Sequence, residues 1–443
     1  MTTRFENGIV VTLGTNNRVI WNATVVTDGE LVAALGDSAE MKRRFPDSES
    51  VDCSGKVILP GFICAHHHFY STMARGMAIP GEPAKNFIEI LEKLWWKVDR
   101  ALDEEDILLS AQLPLIDCIR NGTTTVIDHH ASPSMRDGSL DLIESAVRQA
   151  GLRASLCYEV SDRNIVGGGI AENERFIKKV GKGDGQIAAM MGLHASFTLS
   201  DGTLEKCVGI AKDANVGCHI HVAEDLSDRE DSLQKYNTTI VNRLHKLGAT
   251  GKRSIFVHCV HIDESEMNIV AETGTIVVHN PESNMNNAVG VTPILAMLKK
   301  GVLIGLGTDG MGSDMLAQMR CAYLLHRLAN RDPSVAFMEA PQMLLQNNAE
   351  IVERQFGLPL GEIAEGHPAD LAIIDYCPPT PLNEANFLGH LIFGLVDAVV
   401  DTTVCRGKIL MQGKKIVSMD EERLAAHSRE LAPKMWKRLQ ELQ

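Results

Sequence analysis

Apolar, β-branched segments recur through the middle of this chain of 443 residues and alternate with helical patterns. The strand-like runs lie at roughly 58–63, 123–128, 152–157, 187–193, 216–222, 254–259, 275–279 and 302–308. Helices are predicted between them, for example over 139–150, 204–214, 232–247 and 264–272. A crossover between successive parallel strands is right-handed, and eight such units close into a barrel. The sequence therefore predicts an α/β fold built on a (β/α)8 TIM barrel.

Both ends of the chain have a different pattern. Residues 1–57 contain short strand-like runs and the hairpin signal Asp28-Gly29, and strand-like runs return after about residue 365. A closing helix is predicted over about 420–441. We therefore expect residues 1–57 and 366–443 to form one composite β-sandwich domain with a C-terminal helix. Residues 58–365 would form the metal-dependent catalytic barrel.

Composition excludes several classes of protein. The formal net charge of −14 argues against binding to a nucleic-acid backbone. The start of the chain lacks an apolar signal core, and no uninterrupted run of 18 apolar residues exists, so no membrane span is expected. The ten cysteines are scattered without a CxxC pair, which indicates reduced thiols in a cytoplasmic protein.

Histidines gather where the strand-like runs end. His66 and His68 are two residues apart, so a strand would present both on one face. His221, His258 and Asp309 lie at the ends of later runs. Active sites of barrels form at the carboxyl ends of the strands. Several histidines and one carboxylate at that edge predict a catalytic metal site.

The same segments resemble a known superfamily. The run from Pro60 to His68, PGFICAHHH, is similar to the first-strand motif of the amidohydrolase superfamily. Segments that follow in the order of its aminohydrolase branch are His221–Glu224, Val257–His261, His279–Asn284 and Gly307–Gly310. The segments 94–100 and 126–133 resemble the SsnA-type putative aminohydrolases. The likeness covers nearly the whole chain, including the flanking β-rich ends, and implies the same barrel fold.

The resemblance implies a metal site with one ion. Its ligands would be His66, His68, His221 and Asp309, and the ion would be zinc, with iron as the alternative. His219 shares a strand face with His221 and is the alternative ligand, but the spacing to Glu224 favours His221. The third and fourth barrel strands do not end in a lysine that could bridge two metals, so a mononuclear site is expected.

Three residues are predicted to handle protons. A divalent ion can make a water molecule nucleophilic near neutral pH, and Asp309 could accept the proton that this water loses. Glu224 would protonate a ring nitrogen of the substrate as the neighbouring carbon is attacked. In the resemblance, His258 hydrogen-bonds the attacking oxygen or the tetrahedral intermediate.

Substrate contacts are predicted from residues near the strand ends. Tyr70 and Trp95 could stack on a planar heterocycle, and His194 resembles a substrate-contacting histidine of the aminohydrolase branch. His130 and Arg163 could bind polar groups of the substrate. For each of these five residues, an ordinary structural role is the competing interpretation.

The predicted function is removal of ammonia from an amino-substituted nitrogen heterocycle, purine-like or pyrimidine-like. Alternatives on the same site are a chlorohydrolase and a cyclic amidase, and a rival of another class is a non-catalytic scaffold that binds a metabolite. The intact set of Glu224, His258 and Asp309 argues against the scaffold, which needs none of them. The expected partner is a small heterocyclic substrate, and the resemblance implies a homo-oligomer, a dimer.

Overall fold

The structure, a computed structural model, describes residues 2–79 and 81–442. In that part of the chain the strands, numbered β1 to β18 in chain order, are Thr2–Val11, Val19–Asp28, Leu31–Asp37, Glu49–Asp52, Val57–Pro60, Phe62–His67, Thr123–His130, Arg153–Tyr158, Ile187–Ala189, Met191–Ala195, Cys218–Val222, Ile255–His258, Ile276–His279, Ile304–Leu306, Leu371–Asp375, Val399–Cys405, Lys408–Gln412 and Lys415–Ile416.

The α-helices, numbered α1 to α17, are Ser38–Arg44, Phe87–Ile90, Trp96–Ala101, Glu104–Arg120, Ser139–Ala150, Ile170–Val180, Asp201–Asp213, Leu226–Tyr236, Ile240–Lys246, Glu264–Thr273, Pro281–Asn286, Ile294–Lys299, Met315–Asn330, Glu339–Gln342, Asn348–Phe356, Phe387–Phe393 and Glu421–Glu441. Short 3₁₀ turns span Phe69–Ala74, Ser196–Thr198 and Leu395–Asp397, and π turns span Leu91–Trp95 and Met343–Asn347. No helix in the described ranges is both long and apolar enough to cross a bilayer.

Two parallel sheets form the barrel, in the orders β6-β7-β8-β9 and β10-β11-β12-β13-β14. A parallel bridge between Val160 and Leu193 joins them on one side. On the other side His67 and Asp309 form a bridge, and the Asp309 N–H donates to the carbonyl of His66. Because the last strand thus meets the first, the strands close into a ring. Because β9 and β10 are separated only by Met190 and together form the strand predicted at 187–193, the ring has eight strands, and the predicted (β/α)8 barrel is confirmed.

The two ends of the chain build one mixed sheet in the order β18-β17-β16-β15-β5-β1-β2-β3, and β4 pairs with the outer part of β1. Phe5, Val25, Ile58, Ile373 and Val404 share one buried apolar cluster within it. Strands from both ends of the chain therefore contribute to a common core, which accounts for the β-rich composition of both flanks.

The strand predicted at 58–63 is divided between these two units. Val57–Pro60 pairs with β1 and β15 in the terminal sheet, whereas the first barrel strand is Phe62–His67. Gly61 stands between them, and a Cβ at that position would collide with the side chain of Thr124. The proposed domain limits, 1–57 with 366–443 and 58–365, stay a prediction.

Helix predictions succeeded where the apolar periodicity was uninterrupted. The helix predicted over 139–150 is observed as Ser139–Ala150, which ends at Gly151 in a left-handed conformation. The single helix predicted over 232–247 is wrong. One helix ends at Tyr236 because Asn237 adopts a left-handed conformation (φ 51°), and a second begins at Ile240.

Candidate active site

Four side chains meet at the carboxyl end of the barrel. His66 and His68 come from the end of β6, His221 from β11, and Asp309 from the loop after β14. One potential ligand atom from each lies within 4.8 Å of the other three. The Nε2 atom of His68 is 3.1 Å from Nε2 of His221 and 3.2 Å from Oδ1 of Asp309. The four residues predicted as metal ligands are therefore clustered.

Each histidine of this group is oriented through its other ring nitrogen. Nδ1 of His66 lies 2.9 Å from Nε2 of His219. Nδ1 of His68 lies 2.6 Å from the carbonyl oxygen of His129, and Nδ1 of His221 lies 2.9 Å from the carbonyl oxygen of His194. Such contacts fix the ring orientation of metal-binding histidines and leave Nε2 for the ion. His219 thus lies behind His66, and His221 faces the centre of the group.

The donors fit a divalent cation. The Nε2 atom of His66 is buried and has no hydrogen-bond partner among the described residues, although it points toward Asp309 at 3.6 Å. Three imidazoles and one carboxylate form the mixed nitrogen and oxygen set that zinc accepts. An ion between them would satisfy the buried nitrogen and balance the carboxylate.

The residues predicted to transfer protons lie beside this group. Nε2 of His258 is 3.3 Å from Oε2 of Glu224 and 3.7 Å from Oδ2 of Asp309. Burial raises the pKa of Glu224 to about 7. Burial would also raise the pKa of Asp309, but the neighbouring imidazoles of His66, His68 and His258 hold it well below its usual value. A carboxyl group with a pKa near neutrality is suited to general acid catalysis.

The backbone is unusual at these positions. Ala223, His258 and Asp309 have φ values of 47°, 71° and 53°, in the left-handed region that residues with a Cβ seldom adopt. Each lies at or just past the end of a barrel strand. Non-glycine residues in this region concentrate at functional sites, where the surrounding contacts hold them in place.

One short helix contacts the whole proton-handling set. From the segment around α11, the Ser283 hydroxyl donates to Oδ2 of Asp309, and Oδ1 of Asn284 lies 2.8 Å from Nδ1 of His258. The side-chain amide of Asn287 donates to Oε1 of Glu224 at 3.3 Å. Sequence reasoning gave these three residues no role. The HNPxSN pattern from His279 to Asn284, directly after a barrel strand, was the available signal.

A cavity opens beside the metal group. Three of the five residues predicted to contact substrate line it, namely Tyr70, Trp95 and His194. Trp96, the neighbour of Trp95 and also a candidate for stacking, lines it too. Apolar and aromatic side chains without a predicted role complete the walls: Phe87, Leu91, Phe197 and Met311. The space and the flat aromatic walls suit a planar heterocycle.

The other two residues predicted to contact substrate, His130 and Arg163, are not part of the described cavity lining. His130 is fully buried, with Nε2 2.9 Å from the Ser132 hydroxyl and its ring 5.8 Å from that of Tyr70. The Arg163 guanidinium is bound to Asp99 and Glu159, two carboxylates that do line the cavity.

Comparison with known proteins places the chain in a family. Residues 57–410 match the model of the amidohydrolase family. The chain is 31% identical over 440 residues to a 5-methylthioadenosine/S-adenosylhomocysteine deaminase from Pelotomaculum thermopropionicum, and the match covers 96% of this chain and 97% of that protein. The chain therefore belongs to the amidohydrolase family.

Solved structures show the same fold. An adenosine deaminase from Xanthomonas campestris with bound zinc superimposes with a TM-score of 0.87 at 24% identity, covering 99% of both chains. The atrazine chlorohydrolase TrzN from Arthrobacter aurescens TC1, complexed with zinc, gives 0.83 at 23% identity, covering 97% of this chain and 100% of that chain. At these identities the likeness concerns the fold.

Proposed function

We propose that this chain uses the site at the barrel mouth to remove ammonia from an amino-substituted nitrogen heterocycle of the purine or pyrimidine type. It is a hydrolase that acts on carbon–nitrogen bonds other than peptide bonds. The observation that carries the proposal is the convergence of Glu224, His258 and Asp309 beside three histidines that each place a ring nitrogen within 4.8 Å of the others. The deaminase relative supports the same reaction.

We assign the ion to zinc, one per chain, held by His66, His68, His221 and Asp309. When bound, it would supply the Lewis acidity that makes water nucleophilic near neutral pH. The absence of a lysine at the ends of β8 and β10 supports a single ion. The zinc bound in structures of the same fold supports its identity.

Protons then move between the chain and the substrate. Asp309 takes the proton that the attacking water loses, at Oδ2, the oxygen that faces His258. Glu224 donates a proton to the ring nitrogen next to the carbon under attack. The second proton of the attacking oxygen passes to Glu224 and restores the acid, while Asp309 returns its proton to the departing amino group. One water is consumed, one ammonia leaves, and the carbon–nitrogen bond is replaced by a carbonyl.

His258 orients the attacking oxygen in this scheme. The side-chain amide of Asn284 donates to Thr292, so its oxygen is free to accept from Nδ1–H of His258. The opposite nitrogen of the ring then faces Glu224 and Asp309. A ring held in this way can direct Nε2 at the attacking oxygen. Because the ring is already oriented, no orientation entropy is lost during the reaction.

An isotope experiment tests the reaction. Zinc-loaded protein is incubated in H₂¹⁸O with adenosine, 5′-methylthioadenosine, guanine, cytosine and a chlorotriazine. We expect one ammonia per turnover and one ¹⁸O in the new carbonyl of the product. Chloride release without ammonia would identify a chlorohydrolase, and ring opening without ammonia would identify a cyclic amidase. Tight binding without turnover would favour the scaffold.

The assembly and location belong to the same proposal. A dimer and a cytoplasmic location follow from the resemblance and from the composition, and both stay predictions. Sedimentation velocity of the purified chain tests the dimer: a single species at twice the chain mass is expected, and a monomer at all concentrations would contradict it.

A further inference from the structure

The described lining of the cavity is rich in carboxyl groups. Among the described residues that line it, the ionisable carboxyl groups belong to Asp99, Glu159, Glu224, Asp228 and Asp309. No lysine or arginine belongs to that described lining. A bound zinc ion would be opposed by Asp309, one of its proposed ligands. Asp99, Glu159 and Asp228 also line the cavity, and Glu159 lies close to His68.

The guanidinium of Arg163 is paired with two carboxylates of the cavity wall. Nη2 of Arg163 is 3.0 Å from Oδ2 of Asp99 and 3.0 Å from Oε1 of Glu159. Its guanidinium also stacks over the Trp96 ring at 4.8 Å, which fixes its plane. One positive group against two carboxylates leaves a net negative charge at this wall.

Asp99 keeps acceptor capacity toward a ligand. The residue is 1% exposed, and its Oδ1 atom has no hydrogen-bond partner among the described residues. Burial raises its pKa to about 6, and the Arg163 guanidinium, 3.0 Å away, favours the ionised form. An anion placed here would lose its hydration and find a carboxylate in place of a cation.

We propose that this cavity selects uncharged or cationic amino-heterocycles and rejects those that carry a phosphate or another anionic group, with Asp99 as a residue that determines this specificity. The inference rests on the proposed function, because it concerns the substrate of the same site. Specificity of this kind arises from repulsion of the wrong ligand as well as attraction of the right one.

Binding of a matched pair of nucleosides tests the selection without turnover. Calorimetry on the zinc-loaded protein compares inosine with inosine 5′-monophosphate, which differ by one phosphate. We expect the phosphorylated compound to bind about 100-fold more weakly, because its charge approaches −2 near pH 7. Equal or tighter binding of the phosphate would overturn the proposal, and so would failure of both compounds to bind.

Substitution of Asp99 tests whether this wall causes the discrimination against phosphate. Asp99→Asn preserves the shape and leaves Arg163 paired with Glu159, so the pair carries no net charge and the discrimination between the two compounds should fall by about 10-fold or more. A merely structural role would weaken both compounds equally and leave their ratio unchanged. Asp213→Asn is the matched control, since it removes the same formal charge from the exposed end of α7, and its ratio should equal that of the wild type.

A second variant, Glu159→Gln, tests the same wall if the first variant does not fold. If Asp99→Asn does not give folded protein, Glu159→Gln removes the other carboxylate bound to Arg163 and should lower the discrimination in the same direction. An unchanged ratio in a folded variant would contradict the role of this wall. Ammonia release measures the proposed reaction separately: charge selection without any ammonia would defeat the deaminase function and leave the selectivity standing.

Discussion

The two sides of the active-site cavity differ in how their side chains are held. On the metal side, His66, His68 and His221 are fixed by the register of parallel strands and by a second contact at Nδ1. On the opposite side, Trp95 and Trp96 come from the long connection between β6 and β7, where a helix is interrupted by a π turn. We expect the first side to determine the chemistry and the second to determine substrate specificity. Perturbing each side should therefore affect different kinetic parameters.

The largest effect is expected from loss of the metal group. The double substitution His66→Ala, His68→Ala removes two donors from one strand face, so the protein should lose its zinc, and kcat should fall by about 10⁴ or more. Elemental analysis and an ammonia assay check this. His67→Ala is the control: its Nε2 contacts the Ser313 hydroxyl, outside the metal group, and the variant should keep its zinc. Full zinc content in the double variant would refute the ligand assignment.

The next effect concerns proton transfer. Glu224→Gln keeps size and polarity but cannot exchange a proton, so kcat should fall by about 10²–10⁴ at unchanged zinc content. Glu230→Gln, on the exposed surface of α8, should behave as wild type. Loss of zinc from the Glu224 variant would make that residue a ligand, and full activity would leave it without a role in catalysis.

A smaller loss is expected from the helix that orients the proton-handling groups. Asn284→Ala removes the acceptor at Nδ1 of His258, and outer contacts of this kind contribute about 10–100-fold. The loss should appear in kcat, with KM and zinc content little changed. Asn284→Asp retains an acceptor oxygen and should recover part of the activity. Equal losses in both variants would point to a packing defect in place of a positioning role.

The smallest effect is expected on the far wall. Trp95→Ala removes an aromatic face of the cavity, so KM should rise by about 3- to 10-fold while kcat changes little. The KM of Trp95→Phe should lie between that of Trp95→Ala and that of the wild type. A dominant loss in kcat would mean that this wall takes part in the chemistry, and the contrast between the two sides would then fail.

The same contrast explains what the sequence could predict. His66, His68 and Asp309 were predictable because strand alternation and the strand-end pattern fix where their side chains point. The role of Ser283 and Asn284 was not predictable, because it depends on how a short helix packs across two strand ends. Nothing in the local sequence shows that a helix turn will reach a particular histidine.

Arg163 and His130 illustrate the limit for the substrate wall. Both follow barrel strands, where a polar side chain is expected to face the site, yet Arg163 is bound to Asp99, a residue 64 positions earlier in the chain. His130 is covered by Tyr70 and bound to Ser132. These outcomes follow from tertiary contacts between loops, whose conformations the apolar periodicity does not encode.

The most direct test of a single-metal hydrolase is a titration of metal-free protein with zinc, followed by ammonia release from a substrate found in the panel. The donor set predicts that the stripped protein is inactive and that activity rises linearly to a break at one zinc per chain. A break at two equivalents would contradict the mononuclear site, and full activity in the stripped protein would contradict the account as a whole.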